Sequence, residues 1–367
     1  MTDITVQNLR EYFSKLCKAK VEIKSIKALG ADRGGSDLKG FGYGKQVVIE
    51  LDVGGSPRSL VFGTLRGDTF GHDFPYDRAR SILMAHLTFN NMPNHVRSVD
   101  AGAIAHDGTP LSIGDFSEFF QVSEMVEGAE YYRDLERLKV EKELRQLDLE
   151  RCQALSDFLV SIHRKKLQKP EYYTRRIREL IGDGECIMGL IDNYPRDFPL
   201  LGRKQLEEIE KKCVQWRWRL KEREERLSQV HGDFHPWNIL FREGTDFSVL
   251  DRSRGEWGEP SDDIAALTVN YIFYSLQVYG RLAGPFEKLY DAFVTNYLDK
   301  SGDHEVEEVI QPFYAWRSLV VASPVWYPTL KIDVRRRLFN FIRNILDVER
   351  MDFKRINSYL EAGDGPS

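Results

Sequence analysis

The chain changes its hydrophobic rhythm about a third of the way along. Its start, "MTDITVQNLREYFSKL", places apolar residues at helical spacing, which predicts a short amphipathic helix. The next stretch, "VEIKSIKALGADRGGSDLKGFGYGKQVVIELDVGGSPRSLVFGTL", sets β-branched runs between glycine-rich turns and predicts an antiparallel meander. "YDRARSILMAHLTFNNM" returns to helical spacing, and "FFQVSEMVEGAEYY" reads as one more strand that leaves through Gly128. Residues 1–126 are thus expected to form a lobe of one small sheet with one packed helix. Residues 127–367 are expected to be mainly helical, with long patterns in "DLERLKVEKELRQLDLERCQALSDFLVSIHRKK" and "LLGRKQLEEIEKKCVQWRWRLKEREERLSQ". Two short apolar runs, "NILF" and "FSVLD", interrupt them as a hairpin with Asp233 before it and Asp251 at its end. The fold class is α+β in two lobes.

Composition narrows this picture. At 367 residues the chain exceeds the roughly 250–300 residues at which one core stops growing, so two lobes with separate cores are reasonable. With 42% hydrophobic and 30% charged residues it is a globular chain, and a net charge of -5 argues against a general nucleic-acid binder. Cys17, Cys152, Cys186 and Cys213 are scattered without CxxC spacing and read as reduced, apolar-like residues. The start lacks a basic-then-apolar signal pattern, and no apolar run approaches the ~20 residues of a membrane helix. A cytoplasmic protein without membrane or nucleic-acid partners is the expectation.

"RGGSDLKGFGYGK" contains Gly40, Gly42 and Gly44. It is not a Walker loop, because Gln46 follows Gly44-Lys45 where Ser or Thr is required. Nor is it a dinucleotide fingerprint, because "KQVVIELDV" continues as a strand rather than a helix. It reads either as a glycine-rich β-turn of the kind that folds over nucleotide phosphates in protein kinases, or as an ordinary hairpin loop.

The segment "VHGDFHPWNIL" packs two histidines, a carboxylate, a tryptophan and an amide into one turn between apolar flanks. Asp233 and Asn238 are separated by four residues, the interval between base and metal-binding amide in the kinase loop H-R-D-x-x-x-x-N. Asp251 closes the following strand and supplies a second oxygen ligand, a donor type that suits Mg²⁺. A zinc pair from His231 and His235 is disfavoured, since Gly232 and Pro236 work against a regular helix through them and no HExxH glutamate is present. Trp237 is expected to anchor the loop by packing.

"HGDFHPWNIL" followed by "FSVLDRSRGEWGEPSDDIA" resembles the aminoglycoside phosphotransferase family. That resemblance implies a protein-kinase-like fold with ATP (or GTP) and Mg²⁺ in the cleft between the lobes. The reaction it implies is phosphoryl transfer to a hydroxyl of a small molecule of aminoglycoside, amino alcohol or sugar type. It makes Asp233 the catalytic base, His231 a support of the loop, Asn238 and Asp251 the metal ligands, and Asp263 the residue that holds the loop backbone. "FQVSEMVEG" resembles the strand and hinge that grip adenine through backbone groups near Glu124 and Val126, and "SDFLVSIH" the helix beneath the catalytic loop.

The chain departs from the kinase pattern at Gly63, where a phosphate-binding lysine is expected. The charge must then come from Arg66, Lys45, Lys39 or elsewhere, or be absent, with Gly40 and Gly42 near the phosphates and Asp77 as the short counterpart of the helix glutamate. Gly63 also supports the alternative of a catalytically weak nucleotide-binding regulator or scaffold. Peptide phosphorylation is disfavoured because "DRSRGEWGEP" runs directly into "SDDIA" with little room for an activation segment. For the acceptor, Glu256 lies in an acidic stretch that would draw a cationic amine, although Arg252 and Arg254 there would suit an anion. Trp326 and Tyr327, in the aromatic run "FYAWRSLVVASPVWYP", are the remaining acceptor candidates.

Overall fold

The computed structural model describes residues 4–29 and 44–362. Gly40, Gly42 and Lys39 lie outside the described residues. The chain divides into two compact units, Met1–Ser123 and Glu124–Ser367.

The first unit opens with α1 (Val6–Cys17), capped by Thr5 and ended at Lys18 in the left-handed conformation. Strands β1 (Val21–Ala28), β2 (Gly44–Val53) and β3 (Ser56–Leu65) form an antiparallel sheet in sequence order. The β2–β3 turn is Gly54-Gly55, both at positive φ, as a tight two-residue hairpin requires. Alternation along β2 buries Ile49 and Leu51 against Leu9 and Phe13 of α1. Helix α2 (Pro75–Phe89) carries no buried residue, so α1 rather than α2 supplies the packed helix of this lobe. Asp77 caps α2 by accepting from the Phe74 N–H at 2.8 Å. A short hairpin follows, β4 (Gly102–Ile104) and β5 (Pro110–Ser112), tied to α1 by the Tyr12 hydroxyl donating to Asp100 Oδ2 at 2.6 Å.

The strand expected over residues 119–128 is not formed, and no helix or strand occurs between β5 and Ala129. Its apolar residues are exposed, Phe120 by 90% and Met125 by 91%, so the alternation in "FFQVSEM" has no sheet partner to bury it.

In the second unit, β6 (Ala129–Glu130) leads into α3 (Tyr132–Glu141) and α4 (Gln146–His163). The sequence reads these two as one helix. The break falls at Lys142, which adopts φ 59°, and Asp148 restarts the helix by accepting the Arg145 N–H at 2.8 Å. Helices α5 (Pro170–Gly182), α6 (Ile187–Asp192) and α7 (Arg203–Leu220) follow. Strand β7 (Ser228–Gln229) pairs with β10 (Trp257–Gly258), enclosing the hairpin of β8 (Ile239–Phe241) and β9 (Phe247–Val249), with β6 on the far side of β8. The chain finishes through α8 (Pro260–Tyr279), α9 (Gly284–Ser301), α10 (Val306–Val309), α11 (Gln311–Ala322), α12 (Ile332–Leu346) and α13 (Ile356–Leu360).

Helix α8 is the axis of this unit. Every residue from Pro260 to Leu276 is buried, the signature of a helix packed on all sides, and α3, α9, α11 and α12 pack on it. Its first turn carries Asp262 and Asp263, where the helix dipole favours negative charge. Just ahead, buried Arg226 forks both Glu259, at 2.7 and 2.9 Å, and Asp303, at 2.7 and 2.9 Å, clamping the α8 start to the end of α9. Burial disfavours the Asp303 charge, but the hydrogen bond and charge of Arg226 outweigh it and hold the carboxyl below its ordinary value of 3.8. The stability this pair adds is therefore complete above that value and lost as pH falls through the lower folded one. Asp303→Asn is expected to lower stability at neutral pH and to flatten its decline on acidification. The readout is tryptophan fluorescence across a urea series, since all six tryptophans lie in the second unit.

Candidate active site

The segment from Val230 to Asn238 is a loop fastened at both ends. The Val230 N–H donates to the Glu256 carbonyl at 3.0 Å beside β7 and β10, and the Asn238 carbonyl accepts from Leu250 at 2.8 Å at the mouth of the β8–β9 hairpin. Between these points Phe234 is fully buried, stacked on Phe158 of α4, and Trp237 stacks on Tyr132 at 5.1 Å. The two aromatics therefore anchor the loop.

Asp263 holds its backbone, accepting the His231 N–H at 2.8 Å on Oδ2 and the Gly232 N–H at 2.7 Å on Oδ1. His163, the last residue of α4, adds a ring contact to Oδ2 at 3.1 Å and meets the Tyr297 hydroxyl at 2.9 Å. Burial works against the Asp263 charge, but the hydrogen bonds from His163 and from the His231 backbone N–H keep its carboxyl below the ordinary range. His231 Nδ1 accepts from the Asp233 N–H at 3.2 Å, so the proton of the neutral ring is on Nε2. Burial lowers the His231 pKa, which keeps the ring neutral and suits a support rather than a proton donor.

Gly232 has φ 86°, and a Cβ there would stand 3.3 Å from Arg254 Cβ. A left-handed L-residue costs about 1–2 kcal/mol. Gly232→Ala is expected to destabilise the second unit by about that amount, measured as the shift of its urea transition by tryptophan fluorescence.

This backbone presents Asp233, whose side chain is 12% exposed. Oδ1 accepts from Arg317 Nη1 of α11 at 2.5 Å, with Arg254 Nε 3.8 Å away. Among the described residues Oδ2 has only longer contacts, to His235 Nε2 at 3.5 Å and Asn238 Nδ2 at 3.4 Å. Burial opposes the charge, but His235, Arg317 and Arg254 together outweigh it and hold the carboxyl far below its ordinary range. Asp233 is thus ionised at any physiological pH and ready to accept a hydrogen bond.

Asn238 Nδ2 donates to the Asp233 carbonyl at 3.0 Å, which turns its Oδ1 away as the acceptor end of the amide. The β8–β9 register carries Asp251 to the same end of the hairpin, directly after the Leu250 that bonds Asn238. Asp251 is exposed, adopts φ 54°, and accepts the Ser253 N–H on Oδ1 at 3.2 Å. Among the described residues no three His, Cys, Asp or Glu side chains converge as a metal cage would. An amide oxygen and one exposed carboxylate at a hairpin end nevertheless fit a hard cation that takes its remaining ligands from phosphates and water.

The other expected residues stand apart. Glu256 is exposed, and its carbonyl accepts from Val230 and Arg252. Trp326 is 66% exposed in the turn after α11, whereas Tyr327 packs on Phe273 at 5.1 Å and joins the core. In the first unit, Arg66, Gly63 and Lys45 line an open cleft of about 1880 Å³. Gly63 lies opposite Gln46 in the β2–β3 ladder. Glu124 and Val126 are exposed and irregular, so the strand expected to carry them is absent.

Arg317 beside Asp233 and His163 beside Asp263 carry no role in the sequence reading. Arg317 is one charge in the apolar run "FYAWRSLVVA", and His163 follows the apolar stretch "FLVSI" at the end of α4. An isolated charge on an all-buried helix is the signal that marks such residues.

The loop that presents Asp233 and the hairpin that carries Asn238 and Asp251 have the parts a phosphotransferase uses. The chain belongs to the phosphotransferase enzyme family, whose profile matches residues 99–307, more than half of its length. No curated protein sequence matches it significantly. Among solved structures it is similar to the amicoumacin kinase hAmiN, in complex with AMP-PNP, Ca²⁺ and Ami, at 15% identity and TM-score 0.42 over 88% of this chain and 90% of that one. A Plasmodium vivax ethanolamine kinase is similar at 14% identity and TM-score 0.36, covering 92% and 82%. The ADP-bound aminoglycoside phosphotransferase APH(2'')-Ib is similar at 12% identity and TM-score 0.32, covering 94% and 97%. Among the described residues no helix is long and apolar enough to cross a membrane.

Proposed function

We propose that this phosphotransferase moves the γ-phosphoryl group of ATP, with Mg²⁺, to a hydroxyl of an amino alcohol, amino sugar or aminoglycoside. The observation that carries the reading is Asp233, an ionised carboxylate with one oxygen fixed by Arg317 and the other left with contacts no shorter than 3.4 Å. The acceptor hydroxyl donates to that second oxygen, and its oxygen forms the new bond to the γ-phosphorus as the bond to the ADP oxygen breaks. The hydroxyl proton leaves by way of Asp233. Because the carboxyl is so weakly basic, it orients the nucleophile first and takes the proton late, which suits the loose transition state of phosphoryl transfer. Asn238 and Asp251 would hold the magnesium ion, whose charge offsets that of the phosphates.

The test is ADP release from Mg·ATP with ethanolamine, glucosamine and kanamycin as acceptors. Turnover above the acceptor-free rate with any of them supports the reading. Nucleotide binding without turnover would instead favour a catalytically weak regulator, the reading that Gly63 motivates.

A further inference from the structure

Arg317 is 6% exposed and sits on α11, outside the segment that matches the family profile. Its guanidinium makes three bonds at once. Nη1 donates to Asp233 Oδ1 at 2.5 Å, and Nη2 donates to the Gly232 carbonyl at 2.9 Å and to Asp262 Oδ1 at 2.6 Å. The face of the guanidinium lies 3.8 Å from the Trp316 ring centroid, and Arg254 stands over the same ring at 4.8 Å. Among the described residues Arg317 Nε is buried without a hydrogen-bond partner.

Stability alone does not account for this arrangement. A buried ion pair with an orphaned donor is commonly matched or exceeded by apolar residues of similar volume, and α11 is otherwise an apolar helix. Geometry offers the reason. A carboxylate left to rotate about its last bond exchanges its oxygens, and an acceptor hydroxyl then meets no fixed partner. The planar fork prevents that rotation by binding one oxygen while gripping the adjacent loop carbonyl and the first turn of α8.

We propose that Arg317 is the positioning residue for phosphoryl transfer: it pins Asp233 by Oδ1 so that Oδ2 is the oxygen presented to the acceptor hydroxyl. The proposal rests on the reading of Asp233 given above, and it assigns the two carboxylate oxygens different tasks. Lysine at 317 supplies the charge but cannot span three acceptors, and methionine supplies only the packing. Misplacement of a reacting group by about 1 Å costs about 10²-fold.

The experiment compares wild type, Asp233→Asn, Arg317→Lys, Arg317→Met and Arg317→Ala in ADP release from Mg·ATP. Ethanolamine, glucosamine and kanamycin serve as acceptors, with water where none is used. Arg317→Met is expected to lower kcat about 10²-fold with the nucleotide KM within about twofold. Arg317→Lys is expected to fall between it and wild type, and millimolar guanidinium ion to restore part of the Arg317→Ala rate. Arg317 variants at wild-type kcat beside a crippled Asp233→Asn would overturn the positioning role alone. Loss in Arg317→Met that guanidinium does not relieve in Arg317→Ala, with KM raised in parallel, would overturn it too, as a merely structural effect. Should Arg317→Met and Arg317→Ala fail to fold, a wild-type kcat in Arg317→Lys would overturn it and a lowered kcat at constant KM would support it. An Asp233→Asn variant as active as wild type, or an inactive wild type, would overturn the functional reading and this proposal with it.

Discussion

Asp233→Asn is expected to lower phosphoryl transfer by about 10²- to 10⁴-fold while leaving nucleotide affinity within a few-fold of wild type. The substitution keeps the shape of the side chain and changes only what its ends offer. Arg317 needs an acceptor, so the amide turns its oxygen to Nη1 and its NH₂ group takes the place of Oδ2. That group donates where the acceptor hydroxyl also needs to donate, so the nucleophile loses its partner and its proton has nowhere to go. Asp262 still neutralises Arg317, and Asp263 still holds the loop, so the fold is retained. Equal turnover in the variant would remove Asp233 from the reaction.

The second large effect is expected at Asp263. Asp263→Ala leaves the His231 and Gly232 N–H groups buried without acceptors and strands the His163 ring between α4 and the loop. Each orphaned donor costs about 1–3 kcal/mol, so about 2–6 kcal/mol of stability is at stake in the second unit. The variant is expected to show a clearly earlier urea transition by tryptophan fluorescence. Activity is expected to fall in the fraction that remains folded, because the loop that presents Asp233 loses its fixed point. Asp263→Asn offers one acceptor oxygen for two donors and should fall between alanine and wild type. A transition unchanged in Asp263→Ala would show that the loop does not depend on this carboxylate.

The fold was legible where one local pattern decides the outcome. Alternation in "KQVVIELDV" and the pair Gly54-Gly55 dictate the β2–β3 hairpin whatever surrounds them. The "NILF" and "FSVLD" runs likewise become β8 and β9, bringing Asn238 and Asp251 to one hairpin end. Apolar periodicity located α4 and α7 but could not show the break at Lys142, which depends on Asp148 capping a new helix. It misjudged residues 119–128, where strand-like composition has no partner to pair with.

The candidate site could be read from the sequence only in its local part. Asp233, Asn238 and Asp251 lie within one short segment, so spacing alone is informative. Arg317 lies 84 positions from Asp233 and His163 100 positions from Asp263, and only the tertiary packing of α11 and α4 brings them in.

Calorimetric titration with ATP, with and without Mg²⁺, on the wild-type chain and on Asp251→Ala tests the central claim most directly. The account predicts heat of binding that depends on Mg²⁺ in the wild type and weakens at least about tenfold, about 1.4 kcal/mol, when the Asp251 carboxylate is removed. ATP binding that is the same with or without Mg²⁺ and in both proteins, or no binding to the wild type at all, would contradict it.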